Sequence, residues 1–142
     1  MPKLRFDLPV QSMQSGRIGK YGNFYQNTKK KGYKAALAMY AITQLRGFKP
    51  IEGAVRVTRF DVYLQRPLSH YVNNDRSRPL KETAPIHCLK HIDVMDNLFK
   101  PFGDALNGIA WIDDSHICYE TGRGKYWTDE PDHIILEFEE VQ

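Results

Sequence analysis

Leu4, Phe6 and Leu8 alternate with polar neighbours, and this period of two predicts a short strand at the start of the chain. Residues 11–27, QSMQSGRIGKYGNFYQN, are too rich in Gly, Gln and Ser for a regular element and predict a loop. The period then changes to that of a helix running through about Leu45. Ala35, Ala38, Met39, Ile42 and Leu45 are expected as its buried stripe, and Gly47 as its end. Alternation returns from Ala54 to Leu64 as a long strand. Val55 and Val57 hold one phase while Phe60, Val62 and Leu64 hold the other, so either a β-bulge lies near Thr58–Arg59 or both faces are buried. Residues 67–91 show no period, and a loop that long in a compact domain is usually functional or mobile.

In the last third of the chain Leu98, Phe102, Ala105, Leu106 and Ile109 fall on one helical face, with Lys100, Asp104 and Asn107 elsewhere and Asn107-Gly108 as the stop. Pro101 fits only a first turn, so this helix starts late or opens with a distorted turn. Asp113-Asp114 reads as a turn and Ser115–Tyr119 as a strand. Residues 121–132, TGRGKYWTDEPD, read as a turn-rich loop offering Arg123, Lys125, Tyr126 and Trp127 as a contact surface. Ile134, Leu136 and Phe138, with Glu137 and Glu139 outward, complete the pattern as a final strand. The expected fold is α+β, with a mixed, mostly antiparallel sheet of four or five strands and two helices packed on it.

The length of 142 residues predicts one domain, residues 1–142, with a real core, and 42% hydrophobic residues exclude a disordered chain. No apolar run reaches the roughly 18 residues of a membrane span. The first ten residues, MPKLRFDLPV, lack the apolar core of a signal peptide, and two cysteines, Cys88 and Cys118, fit a reducing cytoplasm. Neither lies in a CxxC pair, and His70, His87 and His91 are spaced by 17 and 4 residues, which matches no zinc template.

The net charge of +3 hides a strong polarity. Residues 1–90 carry 17 Lys and Arg against 5 Asp and Glu, a net of +12, whereas residues 91–142 carry 3 against 12, a net of −9. Basic residues suited to phosphates beside acids suited to a metal are what a nuclease needs, unless the two halves interleave and their charges cancel. Candidate nucleic-acid contacts are Arg17, Lys20, Lys29, Lys30, Lys31, Arg76, Arg78 and Lys90. Tyr21, Phe24 and Tyr25 stand among Arg17 and Lys20, where rings either stack on exposed bases or fold back on the core.

The acids concentrate between His91 and Ile117: Asp93, Asp96, Asp104, Asp113 and Asp114, with Asn97 and Lys100 among them. Carboxylates brought close repel unless a cation or proton lies between them, and a hard divalent ion such as Mg²⁺ is the usual relief. A lysine amid such acids can meet charge developing on a phosphate under attack. Each piece also has a structural reading. Asp-Asn before an apolar run caps helices, Asp-Asp between apolar runs makes turns, and Lys100 lies four residues from both Asp96 and Asp104, the spacing of surface ion pairs on a helix.

Taken together, the order D-x-x-D-N-L-x-K, then D-A-L-N-G, then W-I-D-D resembles the RusA family of Holliday-junction resolvases of bacteria and their phages. Asp96-Asn97-Leu98 matches the family's Asp-Asn-Leu, Lys100 its lysine, Asp104-Ala105-Leu106 its middle block, and Asp113-Asp114 its closing pair. The specific match covers residues 88–119. The family places its first acid two residues before the Asp-Asn, where this chain has Val94. Asp93 stands three before, so either a bulge swings it inward or that ligand is displaced.

The resemblance implies a homodimeric, Mg²⁺-dependent endonuclease that cuts four-way DNA junctions in the cytoplasm of a bacterial or phage-infected cell, with Mn²⁺ as a substitute metal. Asp93, Asp96 and Asp114 would be metal ligands, and Lys100 would complete the catalytic set with them. Asn97 and Asp113 would support the ligands. Two readings from other classes stand beside it: a DNA-binding protein with a decayed metal site, and a metal-dependent phosphohydrolase acting on nucleotides.

Overall fold

The computed structural model describes residues 2–11, 17–18, 24–25, 28–89 and 98–142, with side chains at 2–11, 32–89 and 98–142. Its main sheet has five strands: β1 (Lys3–Phe6), β4 (Val55–Gln65), β5 (Ile117–Glu120), β6 (Arg123–Thr128) and β7 (His133–Glu140). A separate antiparallel pair, β2 (Arg17–Ile18) and β3 (Phe24–Tyr25), lies in the stretch expected to be irregular. Among the described residues there are two α-helices, α1 (Thr28–Gln44) and α2 (Lys100–Ala105). The architecture is the expected α+β, with a mixed, mostly antiparallel open sheet.

The long strand β4 organises the sheet. Along one side it pairs antiparallel with β7, which in turn pairs antiparallel with β1. Along the other side it pairs in parallel with β5 through Val55–Val57 and then with β6 through Phe60–Gln65. The register of β4 against β7 shifts between Val57 and Arg59, so the phase slip read in the sequence is a β-bulge at Thr58. It lets Val55, Val57, Phe60 and Val62 all face one core despite their change of parity.

That core also holds Leu4 and Phe6 of β1, Ile134, Leu136 and Phe138 of β7, and Leu98, Phe102, Leu106 and Trp111 around α2. Its aromatic rings meet edge to face. Phe102 packs against Phe6 at 5.0 Å and Phe60 at 5.1 Å, and Trp111 against Phe138 at 5.3 Å.

Two sequence expectations are corrected. The buried stripe of α1 is Tyr33, Leu37 and Ala41, with Tyr40 and Leu45 packed at its margin. Met39 and Ile42 are exposed, as is Ala35. Tyr33, Leu37 and Ala41, spaced by four, place one continuous ridge on the core, and Met39 and Ile42 lie outside it. Residues 123–128 form strand β6, although two nearby glycines made them read as loop. Parallel pairing with β4 outweighs the weak local propensity.

The irregular stretch after β4 is pinned at several points. Tyr71 is buried and donates its hydroxyl to Asp129 Oδ1 at 2.6 Å. Arg66, also buried, donates to the Pro85 carbonyl at 2.7 Å, and His87 bridges to Tyr126 of β6. Among the described residues no helix is long and apolar enough to cross a membrane.

Candidate active site

Helix α2 begins where Pro101 can begin it. Proline occupies the first turn, where its missing N–H leaves no hydrogen bond unmade, and Phe99 stands at the N-cap with φ −78° and ψ −32°. Lys100 therefore heads the helix with its side chain exposed, while Pro101, Phe102 and Gly103 are buried beneath it. The helix ends at Ala105 with Leu106 as its C-cap, and the chain reverses through Gly108, whose φ of +80° is one that glycine adopts without strain. The Gly108 amide then donates to the Trp111 carbonyl at 2.7 Å.

This reversal aims the closing acids back at the helix. Trp111 is fully buried and donates its indole N–H to the Gly103 carbonyl at 3.3 Å. The next residue, Ile112, is held by the Ile51 carbonyl at 3.0 Å. The chain then turns through a short 3-10 helix, Asp114–His116, before entering β5. As a result Asp114 stands against α2. A Cβ added to Gly103 would meet the Asp114 Cβ at 3.5 Å and Oδ2 at 3.6 Å. Gly103 follows Lys100 by three residues and so shares its helix face, which places the closing acid and the lysine on one side of α2.

Asp113 and Asp114 differ in surroundings. The Ser115 hydroxyl donates to Asp113 Oδ2 and holds that carboxyl below the usual range. The Asp113 carbonyl accepts from the His116 amide at 3.0 Å, so Asp113 shapes the turn. Asp104 is drawn elsewhere: it accepts from Lys34 Nζ at 3.1 Å and ties α2 to α1. Lys34 is therefore the partner of Asp104, where the sequence spacing had offered Lys100.

Asp93, Asp96, Asn97, Lys20 and Lys90, together with the bulge considered at Val94, lie outside the described residues, as do the side chains of Arg17, Lys29, Lys30 and Lys31. The donor set read from the sequence consists of hard carboxylate oxygens, which suit Mg²⁺. Among the described residues no group of three or more His, Cys, Asp or Glu gathers to hold a metal ion.

The charge polarity of the sequence is partly cancelled by folding. Arg56 pairs with Glu139 at 2.9 Å, Arg59 with Glu137 at 3.6 Å, Arg66 with Asp129 at 3.5 Å and Arg5 with Glu130 at 3.7 Å. Each pair joins the basic part of the chain to the acidic part. Of the proposed phosphate contacts, Arg76 donates to the Arg66 carbonyl at 2.7 Å and lies 5.8 Å from the Tyr71 ring centroid, so it also anchors its loop. Arg78 is exposed on the same loop. Of the histidines of this stretch, His70 makes a ring contact with Trp127 at 5.1 Å and His87 with Tyr126 at 5.3 Å, and His91 lies outside the described residues.

One neighbour of the site escaped the sequence reading. The Phe99 ring, buried against Phe60 at 5.0 Å, carries the Arg123 guanidinium at 5.5 Å from its centroid. Arg123 had been read as an exposed contact. No periodic signal links residues 24 positions apart, so only the fold reveals this pairing.

Among curated proteins no match to this chain is found. The family model described as endodeoxyribonuclease RusA matches residues 7–138, a span that takes in α2, the Asp113-Asp114 turn and the main sheet apart from β1 and the end of β7. The chain belongs to the RusA family of endodeoxyribonucleases.

Proposed function

We propose that this protein is a Mg²⁺-dependent endonuclease that resolves four-way DNA junctions by paired phosphodiester hydrolysis, acting as a homodimer in the cytoplasm of a bacterial or phage-infected cell. The observation that carries the reading is the placement of Asp114 against the helix face headed by Lys100, within a chain of a junction-resolving nuclease family. A four-way junction has two-fold symmetry, and two identical sites related by a two-fold axis are the simplest way to cut it twice.

Asp96 and Asp114, joined by Asp93, would hold the ion, with Mn²⁺ able to replace Mg²⁺. When bound, such an ion supplies Lewis-acid polarisation of the phosphate and a lowered pKa for the attacking water. Lys100 places its ammonium against the charge that builds on the phosphoryl oxygens or the leaving oxygen. Asn97 orients a ligand carboxylate, and Asp113 holds the turn that presents Asp114. Arg17, Lys20, Lys29, Lys30, Lys31, Arg76, Arg78 and Lys90 track the DNA backbone.

The test is Asp114→Asn and Asp96→Asn on a synthetic four-way junction. Each should abolish cutting while junction affinity stays within a few-fold, because losing a carboxylate removes a ligand and also relieves repulsion against DNA. A variant that cuts at near wild-type rate removes its residue from the ligand set.

Val94, at the place of the family's first acid, favours one competing reading: a junction-binding protein whose site has decayed. Asp93→Asn separates the two. If Asp93 is a ligand it matches Asp96→Asn in severity. If it faces away the variant cuts normally, and a wild-type chain that binds junctions but never cuts them leaves only the non-catalytic protein.

A further inference from the structure

Arg123 opens β6 at a tightly constrained point. The residue before it, Gly122, approaches the bulge of β4 so closely that a Cβ there would stand 2.6 Å from the Thr58 carbonyl oxygen. The Gly122 carbonyl accepts from the Phe60 amide at 2.8 Å, and Arg123 then pairs in register with Phe60. The bulge thereby fixes where the arginine emerges. Its side chain is only 14% exposed and forms an ion pair with Glu120.

The guanidinium lies over the face of Phe99 at 5.5 Å from the ring centroid. Phe99 is the N-cap of α2 and the residue directly before Lys100. The edge of its ring also reaches the position over Gly103 where Asp114 stands, its Cε1 3.8 Å and the Asp114 Oδ2 3.6 Å from an added Cβ. Phe60 packs against the same ring in an edge-to-face arrangement, with centroids 5.0 Å apart. One aromatic side chain thus touches the sheet, the helix that carries Lys100 and the surroundings of Asp114, and an arginine from a distant strand is laid across it.

Holding a guanidinium this far from water is unfavourable unless opposite charge and an aromatic face replace its hydration, and Glu120 and Phe99 supply both. We infer that Arg123 is a positioning residue of the nuclease site: it clamps Phe99 from the sheet side and so fixes the start of α2 and the direction in which Lys100 points. The inference rests on the nuclease reading given above. Arg123 acts through Phe99, so its loss should disturb the alignment of Lys100 with the scissile phosphate while leaving the DNA contacts of the basic loops in place.

The experiment measures kcat and KM on a synthetic four-way junction in Mg²⁺, with junction dissociation constants and thermal midpoints alongside. The proteins are wild type, Arg123→Met, Arg123→Lys, Phe99→Leu and the double variant Arg123→Met/Phe99→Leu. Arg123→Met should lower kcat roughly tenfold, with KM and the dissociation constant within about threefold. Arg123→Lys, which keeps a cation over the ring, should lose only about threefold. The double variant should be no more than about twofold slower than Phe99→Leu alone, since both changes remove one clamp.

Should Arg123→Met fail to fold, Arg123→Lys carries the same comparison, slower in the wild-type background and without further effect on Phe99→Leu. Wild-type kcat in Arg123→Met, a raised KM at constant kcat, or losses that multiply in the double variant would each overturn the inference alone. A wild-type protein that cuts no junction in Mg²⁺ would overturn the nuclease reading together with it.

Discussion

Lys100 owes its place to two neighbours. Pro101 fixes the first turn behind it, and Phe99 anchors the N-cap in the core, so a long flexible side chain leaves from a rigid base. Asp114 stands beside the same helix face because Trp111 and Gly108 turn the chain back. Replacing Lys100 by Ala should lower the single-turnover cutting rate roughly 10²–10³-fold, the scale of losing one donor to a transition state. Junction affinity should barely change, since one phosphate contact contributes modestly among many. A large loss of binding at an unchanged single-turnover rate would make Lys100 a docking residue.

At this scale the family was legible because the order of acids and lysine along the chain is itself the signal. Asp104 was less so. Its partner Lys34 is 70 residues away, and helix spacing pointed instead to Lys100. The contact between Phe99 and Arg123 was invisible for the same reason: it arises where a strand and a helix cap meet in space.

Among the elements, β4 was read most fully. A phase slip in an alternating pattern has few physical causes, and the bulge at Thr58 is one of them. Strand β6 was missed because glycines at 122 and 124 weaken strand propensity, while the pairing that stabilises β6 comes from a strand far earlier in the sequence. Gly122 is required where it stands. Gly122→Ala should destabilise the fold by about 1–3 kcal/mol, because the new methyl has to push back the Thr58 carbonyl, which is backbone. Chemical denaturation would measure this, and an unchanged midpoint would mean that β6 can move away from the bulge freely.

The ridge of α1 supplies a pH test. Burial pushes the Tyr33 phenol up to about 12 from its ordinary 10. The raised value means that the folded state holds the phenolic proton more tightly than the unfolded chain does. The resulting stability is complete below pH 10 and is lost as pH rises from 10 to about 12, where the unfolded chain ionises first. The loss over that window should be about 2–3 kcal/mol, following roughly 1.4 kcal/mol per pKa unit. Tyr33→Phe should remove this part of the alkaline destabilisation. An equally steep decline in the variant would assign it to other groups.

For the whole molecule, folding brings the basic and acidic parts of the sequence into register. Arg56, Arg59 and Arg66 line or follow β4 and are matched by Glu139, Glu137 and Asp129 from the far end of the chain. The sequence polarity is therefore used in part to hold the sheet together. It remains an argument for DNA binding where basic side chains are exposed, as at Arg78 and at the head of α2. Fold class was legible because a period of two marks β1, β4 and β7 and helical spacing marks the two helices. Strand order was not, since β5 and β6 take consecutive places along one edge of β4, a topology that no local pattern encodes.

The most direct measurement incubates the purified protein with a synthetic four-way junction and, separately, with a linear duplex of the same sequence, each with and without Mg²⁺, and follows strand cleavage. The expected result is paired, symmetric nicks in the junction that require Mg²⁺, with the duplex left intact. Binding of the junction without cleavage at any Mg²⁺ concentration, or equal cutting of both substrates, would contradict a junction-resolving nuclease built on Lys100 and Asp114.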